Sequence, residues 1–353
     1  MNARPAFLKL SLAVFIVLLP FLVYQIWDVV EAARLRSRVE AVKASGAPVV
    51  LYLPALGGAE LAARYYQAAA ALLSNDSYTA LSIEERNRTW KALRSGGDWT
   101  LDVIAIARLR VEQNREALDF VDRAAALPFA GFRPGTSYSY RTGELMQLAE
   151  VCEFRAAVLA ADGEGDAAAA SLYSEARLMR ALDSGSSLPS ISIAPAFANL
   201  EAVLARAKPS PASLNRLSGG LEGLDRDDRM KASFIRFRAS MLNDLVMSRP
   251  PSSQPSPFWA HLTVRALDAF ARIIAAADEP WTTRVSAMTA VGVWPEPNIF
   301  TLGSRGSQML TQYTRAIAGQ VKRIRCARLS IDGQLTLADP FSGKRLEASQ
   351  CHE

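Results

Sequence analysis

Between Leu10 and Ile26 the chain reads LSLAVFIVLLPFLVYQI, without a single charged side chain. No other stretch constrains the molecule as strongly, because so apolar a run is driven out of water. A helix rises about 1.5 Å per residue and a bilayer core is about 30 Å thick, so about 20 apolar residues span it. The run reaches that length when Phe7 and Leu8 join it and Lys9 snorkels to the headgroups. Tyr24 and Trp27 fall where an interfacial aromatic belt is expected, and a membrane span tolerates Pro20. The reading is therefore a single N-terminal transmembrane helix, an uncleaved signal anchor. A cleaved signal peptide with Val30-Glu31-Ala32 as its processing site and a buried core helix are the competing readings.

Orientation is set by opposing rules. Arg4 and Lys9 precede the run, whereas Arg34, Arg36, Arg38 and Lys43 follow it. Counting Lys and Arg alone slightly favours a cytoplasmic body. A short basic tail ahead of a first apolar segment favours export, and Asp28 and Glu31 are the charges nearest the far end. The expectation is an inner-membrane, single-pass protein whose body is periplasmic or otherwise extracytoplasmic.

The rest of the chain reads as a helical body. Half of the 353 residues are hydrophobic, enough for a real core, and the net charge is +5. The basic residues are scattered among acids, so no basic stripe points to nucleic acid. Lys322, Arg323, Arg325 and Arg328 form the one dense basic group, and they suit the C-terminal end of a helix dipole.

The expected organisation runs as follows. Residues 1–45 are the anchor with a juxtamembrane helix over Val29 to Ala44, and residues 46–248 are a helical-hairpin domain. Residues 249–257 (RPPSSQPSP) are a Pro/Ser linker, 258–325 are C-terminal helices, and 326–353 are a hairpin and tail. Ser82 with Glu85 makes a capping box that opens a helix reaching about Leu93. Trp99 to Leu127 reads as two helices split near Gln113-Asn114. A helix over Leu145 to Ala161 meets the turn Asp162 to Asp166, and a second helix follows. Later helices are expected over Ile193 to Ala207, Ser213 to Leu217, Asp225 to Ser248, Phe258 to Ala277 and Met309 to Ile324. Asp225, Asp227 and Asp228 are read as the acidic first turn of theirs. In Leu329 to Leu337, apolar and polar residues alternate around Asp332-Gly333, which predicts a small C-terminal β-hairpin. Asp339 to Lys344 follows as a turn.

Ala117, Val121 and Ala124 share their spacing with Ala169, Tyr173 and Ala176. Small, large, small at that spacing lets antiparallel helices approach closely, as in tetratricopeptide repeats. The two sets are 52 residues apart, from Ala117 to Ala169, against 34 in that repeat. Repeat-like hairpins and generic helical hairpins both fit this pattern.

Four stretches carry a resemblance. They are Arg38 to Pro48 (RVEAVKASGAP), Ala62 to Leu72 (AARYYQAAAAL), Gln113 to Pro128 (QNREALDFVDRAAALP) and Asp339 to Lys344 (DPFSGK). In that order they resemble an uncharacterised group of bacterial membrane-anchored proteins with an extracytoplasmic helical body. The resemblance implies that architecture, and no catalytic residue comes with it.

Chemistry is sparse. Of the two histidines, His261 beside Trp259 near a helix start reads as an interface or capping residue rather than a base. His352 with Cys351 and Cys326 offers three possible zinc ligands, a weaker reading than a disulfide. Asp162, Glu164 and Asp166 alternate like a calcium loop but lack its distal Glu. No nucleophile elbow or phosphate-binding glycine loop is present. Catalytic, cofactor-binding and metal residues are accordingly read as none, and cofactors as none. Cys152 reads as a buried small hydrophobe. In an oxidising compartment Cys326 and Cys351 are able to pair; otherwise they are two free thiols. The functional reading is a membrane-anchored helical interaction or scaffold protein, with the membrane and a protein as partners and no nucleic acid or small-molecule ligand. The alternative is an envelope-associated enzyme whose site, not visible in the sequence, lies between helices or in the Trp281 to Gln308 region. A subunit of a larger membrane assembly is a third reading.

Overall fold

In the computed structural model the chain is described over residues 4–47, 57–74, 81–94, 99–127, 142–185, 197, 199–225, 227–247, 256–291, 305–333 and 335–351. The loop 128–141, most of the linker 249–257, Trp294 and His352 lie outside them. The protein is all-helical, with 13 helices and no strand among the described residues. They are α1 (Arg4–Ala44), α2 (Gly57–Leu72), α3 (Ile83–Arg94), α4 (Leu101–Gln113), α5 (Arg115–Ala126), α6 (Thr142–Ala161) and α7 (Gly165–Gly185). Then come α8 (Leu200–Ala207), α9 (Pro211–Glu222), α10 (Arg229–Met247), α11 (Pro257–Asp278), α12 (Trp281–Val291) and α13 (Arg305–Ile331), with a 3₁₀ turn at Ala348–Cys351.

Local signals explain many of these boundaries. The Ser82 hydroxyl accepts from the Glu85 amide, and the Glu85 carboxylate accepts from the Ser82 amide and hydroxyl, so α3 opens on a reciprocal capping box. Thr100 caps α4 and Ser210 caps α9, which also begins on Pro211. The split at Asn114 separates α4 from α5, and the Asn114 amide reaches the Ser74 carbonyl to tie down the end of α2. Between α6 and α7 the chain turns at Gly163, whose φ of +79° suits a residue without Cβ.

Two expectations are corrected. The first is the transmembrane helix at Leu10 to Ile26: among the described residues, no helix is long and apolar enough to cross a membrane. The run forms the front of one continuous 41-residue helix, α1, that carries on through Asp28, Glu31, Arg34 and Arg36. Side chains are described from Leu18 onward. From Leu18 to Trp27 the apolar stretch covers about 15 Å, half of a bilayer core. Leu10 to Val17 lie outside the residues whose side chains are described.

The second is the C-terminal β-hairpin. Leu329 to Ile331 continue α13, and Asp332-Gly333 ends it, with the Asp332 amide on the Arg328 carbonyl. Ile331 packs on the core formed by α5–α9, and that contact outweighs the period-two pattern. What is left of the hairpin is one isolated bridge between Ala338 and Arg345, around the Asp339 to Lys344 turn. There the Asp339 carboxylate accepts from the Phe341 and Ser342 amides.

Three apolar clusters form the interior. The first joins α2 and α5–α9 and is dense in alanine, including Ala69, Ala117, Ala156, Ala168 and Ala176. The second joins α10–α13 with larger side chains such as Phe234, Phe270, Met288 and Tyr313, and takes Leu35, Val39 and Val42 from α1. A small third cluster sets Leu93, Val103 and Ile104 against Phe154. Helix α13 threads two of them, with Leu310 to Val321 in the second and Ile324 and Ala327 in the first. Helices α6 and α7 form an antiparallel hairpin. Helix α5, however, pairs chiefly with α2, and α4 with α6. One of the two sequential hairpins suggested by the small-residue spacing therefore forms, and the other is replaced by non-sequential pairing.

Candidate functional site

Three places have the ingredients of a site: the front half of α1, the ionic cluster beside Trp281, and a cavity walled by a disulfide.

Helix α1 divides at Glu31. Beyond it, Leu35, Val39 and Val42 recur at helical spacing and pack on α11 and its neighbours. Before it, Leu18, Leu19, Phe21, Leu22, Val23, Tyr24, Ile26, Trp27, Val29 and Val30 are all exposed. These positions are nearly consecutive, so they cover every face of the helix. Two side-chain contacts set the register of the docked half. The Glu31 carboxylate lies 3.3 Å from His261 Nδ1, and Arg38 pairs with Asp268 at 3.0 Å. Both pairs advance by seven residues, so α1 and α11 run parallel. Glu31 is buried, and its Oε1 accepts from Arg34 at 2.9 Å. His261, read from sequence as an interface or capping residue rather than a base, sits at this helix contact.

The second place corrects the reading of the acidic residues before α10. Asp225 and Asp227 precede the helix, which starts at Arg229, and they turn towards α13. Arg325 Nε donates to Asp225 and Nη2 to Asp227, both at 2.8 Å, while Nη1 donates to the Ala338 carbonyl. Arg328 Nη1 donates to the second Asp225 oxygen at 2.6 Å. The Trp281 indole N–H donates to Asp227, and Arg284 lies 3.9 Å over the Trp281 ring while binding the Asp227 and Glu279 carbonyls. Burial holds the Arg284 guanidinium below its ordinary pKa, with Asp227 acting against that shift. Carboxylates and arginines thus converge near Trp281, but they bind one another. Chemically the cluster is a clamp that ties the loop before α10, the start of α12, the end of α13 and the tail.

In the third place, Cys326 and Cys351 form a disulfide with Cα atoms 5.5 Å apart. It lines a cavity of about 320 Å³ together with Phe197, Leu200, Glu201, Gly319, Lys322 and Arg323. The dense basic group therefore splits. Lys322 and Arg323 face this cavity, and Arg325 and Arg328 face the aspartates.

The remaining candidates have structural partners. Asp162 pairs with Arg108 at 2.6 Å, and Asp166 accepts from the Ser210 amide, which lowers its pKa. Cys152 is fully buried and its thiol is pushed up to about 12, chiefly by that burial. No group of three or more potential metal ligands occurs among the described residues. Sequence reasoning missed Phe258 and Trp259. They start α11, are exposed, and stack edge to face with centroids 6.1 Å apart. Their signal was two adjacent aromatics at the solvent-facing start of an otherwise core-bound helix. No protein-family model matches the chain. No curated protein and no solved structure matches it either.

Proposed function

We propose that this protein is a membrane-associated helical interaction protein whose body works in an oxidising, extracytoplasmic compartment. The observation that carries the reading is the all-round exposure of apolar side chains from Leu18 to Val30. A helix meant for a protein groove presents one apolar stripe. A helix apolar on every face calls for an apolar medium, which lipid supplies. The docked half of α1 transmits that attachment to the body. The Cys326–Cys351 disulfide supports the compartment, since such bonds persist where the surroundings oxidise. A protein partner is the expected cargo of the helical body.

Vesicle flotation tests the attachment. The full chain is expected to rise with phosphatidylcholine vesicles, and a Leu22→Arg/Ile26→Arg variant is expected to stay in the dense fraction. Recovery of the unaltered chain in the dense fraction would overturn the reading. Among the described residues an enzymatic role draws no comparable support, because the polar groups converging at Trp281 are taken up by one another, and residues 292–304 of that region lie outside them.

A further inference from the structure

We propose that Phe258 and Trp259 at the start of α11 form a second lipid contact which, with Tyr24 and Trp27 of α1, makes an aromatic collar resting at the headgroup level of the membrane. The inference rests on the reading that the front of α1 meets lipid.

The parallel register carries the geometry. Glu31 stands beside His261 and Arg38 beside Asp268. Stepping back three residues on each helix sets Phe258 level with Asp28, and Trp259 level with Val29. The aromatic pair of α11 therefore stands at the height where α1 changes from apolar to charged. Tyr24 and Trp27 stand at that same boundary, edge to face with centroids 6.4 Å apart. All four rings are exposed, between 36% and 46%. The rest of α11 behaves differently, because its apolar residues Ala260, Leu262, Ala266, Leu267, Phe270 and Ile273 are buried.

Lipid is the occupant the chemistry fits. Amphipathic aromatic rings concentrate where hydrocarbon gives way to headgroups. One to two helical turns towards the body, Arg34 and Arg36 of α1 and Arg265 of α11 are exposed. That places a basic ring of three arginines, one of them shared with Glu31, just above the aromatic one, where lipid phosphates lie. A protein groove would not require apolar helix, aromatic collar and basic ring in that order along one axis. Two contacts also do what one cannot. The α1 arm holds the body near the membrane, and the collar fixes which end of the body faces it.

The test uses the full chain with its disulfide oxidised, carrying a bimane label at Phe258→Cys or, separately, at Leu22→Cys. Cys152 is buried and stays unlabelled in the folded protein. Vesicles contain phosphatidylcholine and phosphatidylglycerol with a nitroxide placed either near the headgroup or deep in the acyl chain. The expected result is quenching of both labels, with the 258 label favouring the shallow nitroxide and the 22 label the deep one. Quenching at 22 without quenching at 258 overturns the collar and leaves the α1 attachment standing. Quenching at neither overturns both. In parallel, Phe258→Ser/Trp259→Ser should lower the vesicle partition constant by about tenfold, equivalent to about 1.4 kcal/mol. An unchanged partition constant in that variant, with native circular dichroism, overturns the collar.

Discussion

The two main cores of this protein differ in the size of the side chains that pack them and in how they are tied together. The first, built from α2 and α5–α9, is a seam of alanines with leucines between them. Small side chains let the helix backbones approach, so close packing and apolar burial supply its cohesion. Polar groups are threaded through it as well: Arg155 grips Asp122 with two donors and reaches Ser171, and buried Glu175 accepts from the Phe197 amide. The second core, built from α10–α13, uses bulky side chains, with Phe234 edge to face on Tyr313 and Phe237 on Phe270. Around it lie polar and covalent ties: Arg229 with Asp183, Arg325 and Arg328 with Asp225, and the Cys326–Cys351 bond. A seam of small residues is sensitive to added volume. A clamp of ions and sulfurs is sensitive to lost charge and to redox conditions.

The sharpest way to break this contrast is to remove the centre of the clamp. Asp225 has a side chain only 3% exposed and binds two arginines. Asp225→Ala removes the close carboxylate of Arg328 and one of the two carboxylates of Arg325, which keeps Asp227 and the Ala338 carbonyl. The change should cost about 3 kcal/mol in urea unfolding. A loss below about 1 kcal/mol would mean that the clamp is incidental to the second core. Next comes the disulfide. It closes a loop of sequence separation 25, and its reduction should cost about 3–4 kcal/mol. Amide exchange should then speed up near α13 and the tail, and remain slow in α6 and α7. Equal acceleration in both regions would erase the distinction.

The seam is tested by volume. A Cβ on Gly165 would approach the Ala207 carbonyl oxygen to 2.1 Å, whereas one on Gly219 meets nothing within 4 Å. Gly165→Ala should therefore lower stability by about 1–3 kcal/mol. Gly219→Ala should leave it unchanged or raise it by up to about 1 kcal/mol. Matching effects at the two sites would contradict the close approach of α7 to the end of α8. The mildest probe is alkaline pH, which acts on one tyrosine in each core. Burial raises the pKa of both Tyr66 and Tyr313. A raised pKa means that stability is complete below the unfolded value of about 10 and declines as pH rises beyond it. At pH 10.5 the loss should be under about 1 kcal/mol per tyrosine. Tyr66→Phe and Tyr313→Phe should each flatten part of the decline, and a slope unchanged in both variants would exclude the tyrosines as its source.

Much of the helical framework was legible because its signals are local. The Ser82/Glu85 box, the break at Gln113-Asn114 and the turn at Asp162 to Asp166 all act within a few residues, over the same range as helix hydrogen bonds. Boundaries slipped where the local signal was weak. Helix α9 runs from Pro211 to Glu222 rather than over Ser213 to Leu217, and α12 occupies a stretch with no clear period. The candidate site was less legible. Phe258 and Trp259 look like ordinary core aromatics until the register with α1 shows what stands beside them. Asp225 and Asp227 look like helix-start acids until their partners appear, 98 to 103 residues further along the chain.

The sequence by itself determined that the chain is helical, where many of its helices begin and end, and that residues 10–26 are strongly apolar. Periodicity, capping and side-chain chemistry act over one or two turns, so they can be read in order along the chain. Tertiary structure alone decided that α5 lies on α2, that Leu329 to Ile331 extend a helix rather than open a hairpin, and that α1 is docked on one side of Glu31 and bare on the other. Those outcomes depend on which surfaces meet after collapse, when burial and ion pairing between distant segments outweigh local preference.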